Sequence, residues 1–183
     1  MPALHSGLPQ PGGHPFAPVY APDSRVLILG SWPSPKSRQQ GFFYGHPRNR
    51  FWPVLAALLG EPVPAAEDLA AKQALLLRHH IALWDVLASC TITGASDASI
   101  RDAVPTDLAP ILAAAPIRAV LCNGTAAYTL YEKYQRPLTG IPAVRLPSTS
   151  PANAAASFDR LCAAWGQALL PCLPPNGPQS VNY

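Results

Sequence analysis

Four short apolar runs constrain the fold of this chain more than any other feature. They have the length of buried β-strands and lie at residues 26–29, 81–84, 119–122 and 143–146. Helical patterns fill most of the sequence between them, and strands that alternate with helices are typical of a parallel sheet covered by helices on both faces. The sequence therefore predicts an α/β fold, a three-layer α/β/α domain around a central four-stranded, mainly parallel sheet.

The spacing of apolar residues also predicts five helices. They lie at residues 51–59, 67–79, 106–114, 124–134 and 153–169. Threonine and asparagine are favoured N-caps, so Thr106 and Asn153 are the predicted caps of the third and fifth helices.

Proline is unusually frequent, and its position predicts the domain limits. The 183 residues include 23 prolines, many of them near the two ends. We therefore expect residues 1–23 and 171–183 to be proline-rich, poorly ordered tails and residues 24–170 to be the globular domain.

Composition argues against several classes of protein. No signal peptide and no run of about 18 apolar residues is present, so we expect a cytoplasmic protein without membrane association. The four cysteines form no C-x-x-C pair and have no histidine pair nearby. Neither a metal nor another cofactor is therefore predicted.

The segment from Gly30 to Trp52 combines aromatic and basic residues. Its first eight residues match the phosphate-loop pattern G-x-x-x-x-G-K-[ST] except at Pro35. Because Pro33 and Pro35 lack the backbone N–H groups that such a loop directs at phosphates, nucleotide hydrolysis does not fit. Aromatic rings beside basic groups instead suit nucleic acid, whose bases stack and whose phosphates are anionic.

The distribution of charge agrees with that interpretation. No acid lies between Asp23 and Glu61 or between Glu132 and Asp159, and the net charge is +3. The basic residues of these two stretches are Arg25, Lys36, Arg38, Arg48, Arg50, Lys133, Arg136 and Arg145. Two basic segments far apart in sequence can form one face that meets phosphates, although a solvated basic surface without a partner is the alternative.

Polar segments follow each of the four predicted strands. They are residues 30–49, 85–97, 123–125 and 147–153. Ligands of open α/β sheets bind outside the carboxyl ends of the strands, so these segments are predicted to form the site.

The motifs in these segments, in this order, resemble the uracil-DNA glycosylase superfamily. The stretch from Gly30 to Trp52, which ends in H-P-R-N-R-F-W at residues 46–52, resembles the first motif of the mismatch-specific uracil enzymes. Residues 121–128 resemble a strand-to-helix turn of the same enzymes. The hypoxanthine-DNA glycosylase branch is most similar, since it combines G-S-x-P, Y-x-H-P-R-N, L-W-D-V and L-P-S-T-S-P-A-N. The resemblance covers residues 25–169. Trp32 and Leu146 depart from it, because many members carry polar catalytic residues there.

The resemblance implies a monofunctional DNA glycosylase of base excision repair. Its partner would be DNA that contains deaminated bases, with hypoxanthine as the first substrate and uracil as the second, and the enzyme would act as a monomer. Apolar residues at the two usual catalytic positions are the reason for an alternative, a damage-binding module of the same fold with little or no hydrolysis. A small-molecule binding protein without a nucleic-acid partner is the third hypothesis.

Asn49 is the predicted catalytic residue, because the resemblance places the role on the asparagine of the P-R-N element. Its amide oxygen would hold the attacking water without needing a tuned pKa. The alternative is an asparagine that caps the helix predicted to begin at Phe51.

Eleven further residues are predicted to contact DNA. The predicted substrate-binding residues are Ser31, Trp32, Tyr44, Asp85 and Asn123. The predicted DNA-binding residues are Lys36, His46, Arg48, Ser148, Thr149 and Ser150. Tyr44 would stack on the flipped base, and the Asp85 carboxylate would accept the N1–H of hypoxanthine or the N3–H of uracil. Neither Lys36 nor Lys133 lies in an apolar segment, so a Schiff-base lyase is not expected.

Overall fold

A computed structural model describes residues 13–91 and 97–175 of the chain. Its strands and helices alternate much as predicted. In chain order they are β1 (Val26–Gly30), α1 (Pro35–Gln40), α2 (Phe51–Leu59), α3 (Leu69–Arg78), β2 (Ile81–Asp85), β3 (Leu87–Thr91), β4 (Arg101–Pro105), α4 (Ala109–Ala114), β5 (Ala119–Asn123), α5 (Thr125–Tyr134), α6 (Arg136–Thr139), β6 (Ala143–Leu146) and α7 (Phe158–Leu169). Short 3₁₀ helices lie at Asp97–Ser99 and Leu170–Cys172.

The central sheet confirms the predicted α/β fold. Its four strands run in the order β2-β1-β5-β6 and all pair in parallel. All five residues of β1 are buried, which explains why this strand is continuously apolar rather than alternating.

Helices cover both faces of the sheet. Ile28 points to one face, where it belongs to a core with Phe51 of α2 and Trp165 of α7. Leu29 points to the other face and shares a second core with Tyr131 of α5. Successive side chains of a strand face opposite sides, so one strand supplies both cores of a three-layer domain.

Both predicted N-caps are wrong. Helix α4 begins at Ala109, whose N–H is accepted by Asp107 Oδ1 at 2.9 Å, while the Thr106 hydroxyl donates to the backbone oxygen of Asp85 at 2.8 Å. Helix α7 begins at Phe158 and is capped by Ser157. In each case a residue nearer the helix supplies the capping oxygen, so the helix starts later than predicted.

A small antiparallel sheet of β3 and β4 was not predicted. Apart from Leu87 its residues are half-buried or exposed, so the apolar run that marks a buried strand is missing. Residues 92–96 between them lie outside the described residues, as do residues 1–12 and 176–183.

The predicted start of the domain at residue 24 is too late. Val19 is buried, and its N–H and C=O bond to Leu83 of β2 at 2.9 and 2.8 Å. His14 is also buried. Residues 14–20, called the N-terminal strap below, therefore pack on the domain despite their prolines.

The described residues contain no helix that is long and apolar enough to cross a membrane. Of the four cysteines, Cys122 is fully buried. Burial raises the pKa of its thiol to about 12, so this side chain behaves as a small apolar residue of the core.

Candidate active site

A polar cleft of about 110 Å³ opens at the carboxyl ends of the parallel strands. It brings together nine of the twelve predicted site residues: Ser31, Trp32, Tyr44, Asn49, Asp85, Asn123, Ser148, Thr149 and Ser150. The position follows the general rule for ligand sites of open α/β sheets. The three remaining predicted residues, Lys36, His46 and Arg48, do not line the cleft.

Thr149 ties three segments of the cleft wall together. Its hydroxyl donates to Asn49 Oδ1 at 2.9 Å and accepts from Asn123 Nδ2 at 2.9 Å. Its backbone N–H donates to Asn123 Oδ1 at 3.0 Å, and its backbone oxygen accepts the Arg50 N–H. Thr149 is fully buried. The polar atoms of Thr149 therefore hold the cleft together, and its contact with DNA stays a prediction.

Asn49 makes the capping contact that was the alternative to catalysis. Its Oδ1 accepts the Phe51 N–H at 2.9 Å as well as the Thr149 hydroxyl. A carbonyl oxygen has two lone pairs, so both are used and the predicted water-holding role of Oδ1 does not fit. Neither bond uses the two N–H groups of Nδ2, and Asn49 lines the cleft. The residue is thus equipped to donate rather than to accept.

Asp85 lies at the end of β2, opposite Gly30 of β1 in the parallel ladder. Its carboxyl group is buried, and Oδ2 is 2.8 Å from His14 Nε2 in the N-terminal strap. Oδ1 lies over Gly30, where an added Cβ would approach it to 2.4 Å. The Asp85 carboxylate is therefore a hydrogen-bond acceptor in the lining of the cleft, and one of its oxygens is held by His14.

Tyr44 adopts a left-handed backbone conformation, with φ of 53°. Its ring stacks on Phe51, with centroids 4.1 Å apart and planes inclined at 26°. Tyr44 is half-buried, whereas its neighbours Phe42 and Phe43 are buried in the core. One face of the Tyr44 ring is therefore occupied by Phe51.

The matches to known proteins agree with this geometry. The sequence model of the uracil DNA glycosylase superfamily matches residues 17–169. The chain belongs to this superfamily.

Two proteins named hypoxanthine DNA glycosylase are similar to this superfamily member. The one from Methanosarcina acetivorans is 34% identical over 148 residues, which cover 79% of this chain and 90% of the relative. The one from Methanosarcina barkeri is 35% identical over 115 residues, which cover 60% of this chain and 69% of the relative.

A solved structure has a similar fold. It is a solution NMR structure of a protein from Methanosarcina acetivorans, named a candidate uracil DNA glycosylase. It aligns with a TM-score of 0.68 and 30% identity, covering 84% of this chain and 96% of that one.

Both departures from the superfamily pattern are explained by packing. Leu146 is buried in the core shared with α2 and α7, so it presents no polar atom to the cleft. Trp32 packs against the core on the opposite face of the sheet. Its Nε1 is buried without a hydrogen-bond partner in residues 13–91 and 97–175.

Three basic residues of this glycosylase-family fold lie within two residues of the cleft lining in sequence. Lys36 and Arg48 are exposed, and His46 is half-exposed. The half-buried Ser148 and Ser150 line the cleft and accept backbone N–H groups of their own loop.

Arg50 differs from the other basic residues of this segment. Its guanidinium donates to the backbone oxygens of Ser150 at 3.2 Å and Asn153 at 2.9 Å, and also to that of Ala156. Arg50 is thus a clamp for the loop before α7, so its charge is directed into the protein rather than toward a phosphate.

His14 is the site residue that sequence reasoning missed. It lies outside the span that the superfamily model matches, within a segment predicted to be a proline-rich tail. A lone histidine between prolines carries no periodic or motif signal, so only the folded position of the strap identifies it.

Gly30→Ala is expected to lower base release about tenfold, as expected when a positioned group is displaced. Gly30 has no left-handed backbone conformation, but the Asp85 carboxylate fills the place of an added methyl group. A methyl group there would displace the Asp85 carboxylate and lie 3.0 Å from the Tyr44 hydroxyl, and such overpacking costs about 1–3 kcal/mol of folding stability. Single-turnover cleavage and thermal unfolding measure the two effects. Gly140→Ala is the matched control, because it strains a left-handed glycine with nothing within 4 Å. Equal activity of the two variants would contradict the prediction.

Proposed function

We propose that the protein is a monofunctional DNA glycosylase that hydrolyses the N-glycosidic bond of hypoxanthine, and secondarily of uracil, in DNA. The observation that carries the proposal is the buried Asp85 carboxylate at the base of a cleft in a uracil-glycosylase fold. The two relatives named hypoxanthine DNA glycosylase support the choice of base. We expect it to act as a cytoplasmic monomer in base excision repair.

Asp85 would distinguish a deaminated base from its parent. Hypoxanthine carries a hydrogen on N1, whereas adenine has a lone pair there; uracil and cytosine differ in the same way at N3. A carboxylate only accepts hydrogen bonds. It would therefore bind the deaminated base. It would repel the parent base, because the carboxylate and the lone pair of adenine or cytosine would then face each other in the cleft without a hydrogen between them.

Bond cleavage would leave the electron pair of the C1′–N bond on the base. Asn49 Nδ2 would donate a hydrogen bond to this departing base, since Oδ1 is held by Phe51 and Thr149. Donors that are already oriented toward a developing negative charge lower the barrier most effectively. Water would then add to C1′ and release a proton, which the base anion takes up, so that hydrolysis leaves a hydroxyl group on C1′ and a neutral free base.

A water nucleophile is favoured over a lysine. The lining of the cleft formed by the described residues includes no lysine, and both Lys36 and Lys133 are exposed. A Schiff-base mechanism needs a lysine within reach of C1′ and a lowered pKa. Neither lysine meets the first condition, so the enzyme would leave an intact strand with an abasic site.

Lys36, His46 and Arg48 would grip the phosphates that flank the flipped nucleotide. In the described residues no ion pair engages Lys36 or Arg48, so their charges are available to DNA. Ser148 and Ser150, which line the cleft, would contact the DNA backbone as well. Because phosphate contacts release counterions, affinity for DNA should fall steeply as salt rises.

The test uses labelled duplexes that carry hypoxanthine, uracil, xanthine or adenine at one position. Strand breaks are measured after incubation with the protein, with and without alkali. We expect alkali-dependent breaks at hypoxanthine, weaker ones at uracil and none at adenine. Breaks without alkali would identify a lyase, and salt-sensitive binding without breaks would identify the damage-binding alternative that the apolar Trp32 and Leu146 favour.

A further inference from the structure

His14 approaches Asp85 from a part of the chain that lies before the family's matched span. The two side chains are 3% and 5% exposed, and their Nε2 and Oδ2 atoms are 2.8 Å apart. A buried carboxylate is costly unless it is paired and hydrogen-bonded. The strap therefore supplies the hydrogen-bond partner, His14, that makes a buried carboxylate tolerable in the cleft.

The orientation of the His14 ring is fixed from both ends. Nδ1 is 2.7 Å from the backbone oxygen of Phe16 and 3.2 Å from its N–H. The ring stacks on Trp84 at 5.0 Å and meets the edge or face of Phe16 at 4.7 Å and Trp32 at 5.8 Å. With the ring held in this way, Nε2 has one direction in which to donate, toward Asp85.

The strap is attached to the strand that carries Asp85. Val19 forms a two-hydrogen-bond bridge to Leu83, two residues before Asp85 in β2. The backbone of Asp85 is fixed as well, because its oxygen accepts the Thr106 hydroxyl. His14 and Asp85 are thus held on one rigid frame, and only the torsions of the Asp85 side chain remain to be set.

We infer that His14 is a positioning residue for base recognition: it holds Asp85 Oδ2 so that Oδ1 is presented to the base. This inference rests on the proposed function. His14 does not line the cleft, so it acts through Asp85 and not on the substrate. Without it the carboxylate is free to rotate about its terminal bond and to take up water, which misplaces the accepting oxygen.

The experiment is a double-mutant cycle on the full chain, with His14→Leu, Asp85→Asn and the double variant. Single-turnover release of hypoxanthine and affinity for undamaged duplex are measured on each. We expect His14→Leu to slow release about 10- to 100-fold, since misplacing a positioned group by about 1 Å costs on that order. In the Asp85→Asn background the same change should cause no further loss and should restore part of the release, because the amide is then free to turn its oxygen toward the base. Affinity for a fully paired, undamaged duplex should stay at the wild-type value in His14→Leu.

Two further variants separate positioning from loss of folding. His14→Gln retains an N–H donor at about the place of Nε2 and should recover most of the rate. Val19→Ala shortens a buried side chain but keeps the backbone bridge to Leu83, so it should lower the melting temperature without slowing release. Equal losses from His14→Leu in both backgrounds, no rescue by His14→Gln, or wild-type release by His14→Leu would each overturn the inference.

The two proposals fail in different ways. If the wild-type protein releases no base from any duplex, the proposed function is wrong. The inference about His14 is then decided by binding, as the preference for a hypoxanthine duplex over an adenine duplex. Loss of that preference in His14→Leu supports the inference, and no preference in the wild type or no change in the variant overturns it.

Discussion

Asp85→Asn is expected to abolish most release of hypoxanthine and to create a preference for adenine in binding. The His14 N–H needs an acceptor at the position of Oδ2, 2.8 Å away. The new amide will therefore turn its oxygen toward His14 and its NH₂ toward the cleft. A donor then faces the N1–H of hypoxanthine, and the mismatch costs about 3 kcal/mol, on the order of 100-fold in rate.

Competition binding and single-turnover cleavage measure this change. Duplexes with a flippable hypoxanthine or adenine, each opposite a mismatched base, compete for the variant. Asp159→Asn removes the same charge from an exposed position at the start of α7 and serves as the control. Hypoxanthine release by Asp85→Asn at the rate of that control would show that the carboxylate does not read the base.

The central sheet was predictable because its signal is local. Strands β1, β2 and β5 are largely buried apolar runs, and burial of a strand on both faces requires such a run. The weaker run of β6 was predicted too, although its two central residues, Val144 and Arg145, are exposed. The same reasoning missed β3 and β4, since Ser89 and Asp102 belong to strands that are only partly covered. A strand that is not buried leaves no hydrophobic pattern to detect.

The site was predictable in its members but not in their bonds. The rule for open α/β sheets places the segments around Asn49, Asp85 and Asn123 at one edge, and the cleft does unite them. The sequence does not tell which hydrogen bonds the oxygen and the nitrogen of each side-chain amide make. Thr149 is the example: its three hydrogen bonds to Asn49 and Asn123 join segments 26 and 100 residues away.

His14 marks the limit of motif-based reasoning. Proline enrichment normally indicates a segment with too little apolar surface to fold, yet here Phe16 and Val19 provide enough contacts to dock the strap. The contact between His14 and Asp85 spans 71 residues. The sequence around neither residue predicts its contact with the other.

Asn49 offers the sharpest test of the chemistry, because two substitutions separate its oxygen from its nitrogen. Asn49→Asp keeps an acceptor for the Phe51 N–H and the Thr149 hydroxyl, which are both 2.9 Å from Oδ1, but it replaces the Nδ2 donors by an oxygen. Because both contacts of the oxygen are kept, this variant should fold as the wild type does whatever the role of Nδ2. If Nδ2 donates to the departing base, the variant should nevertheless release hypoxanthine about 10² to 10³-fold more slowly, as is typical when one hydrogen-bond donor to a developing negative charge is lost.

Asn49→Ala removes both functions and should be slow and less stable, since loss of a capping side chain costs about 1 kcal/mol. Single-turnover cleavage, affinity for hypoxanthine duplexes and thermal unfolding are measured for both variants, with Thr149→Val as the control that breaks the Asn49–Thr149 bond but leaves Nδ2 in place. The hypothesis that the Asn49 oxygen holds the attacking water makes the opposite prediction for the aspartate, because a carboxylate accepts from water at least as well as an amide. Wild-type or faster release by Asn49→Asp would therefore return the catalytic role to the oxygen, and a slow, fully folded Asn49→Asp assigns it to Nδ2.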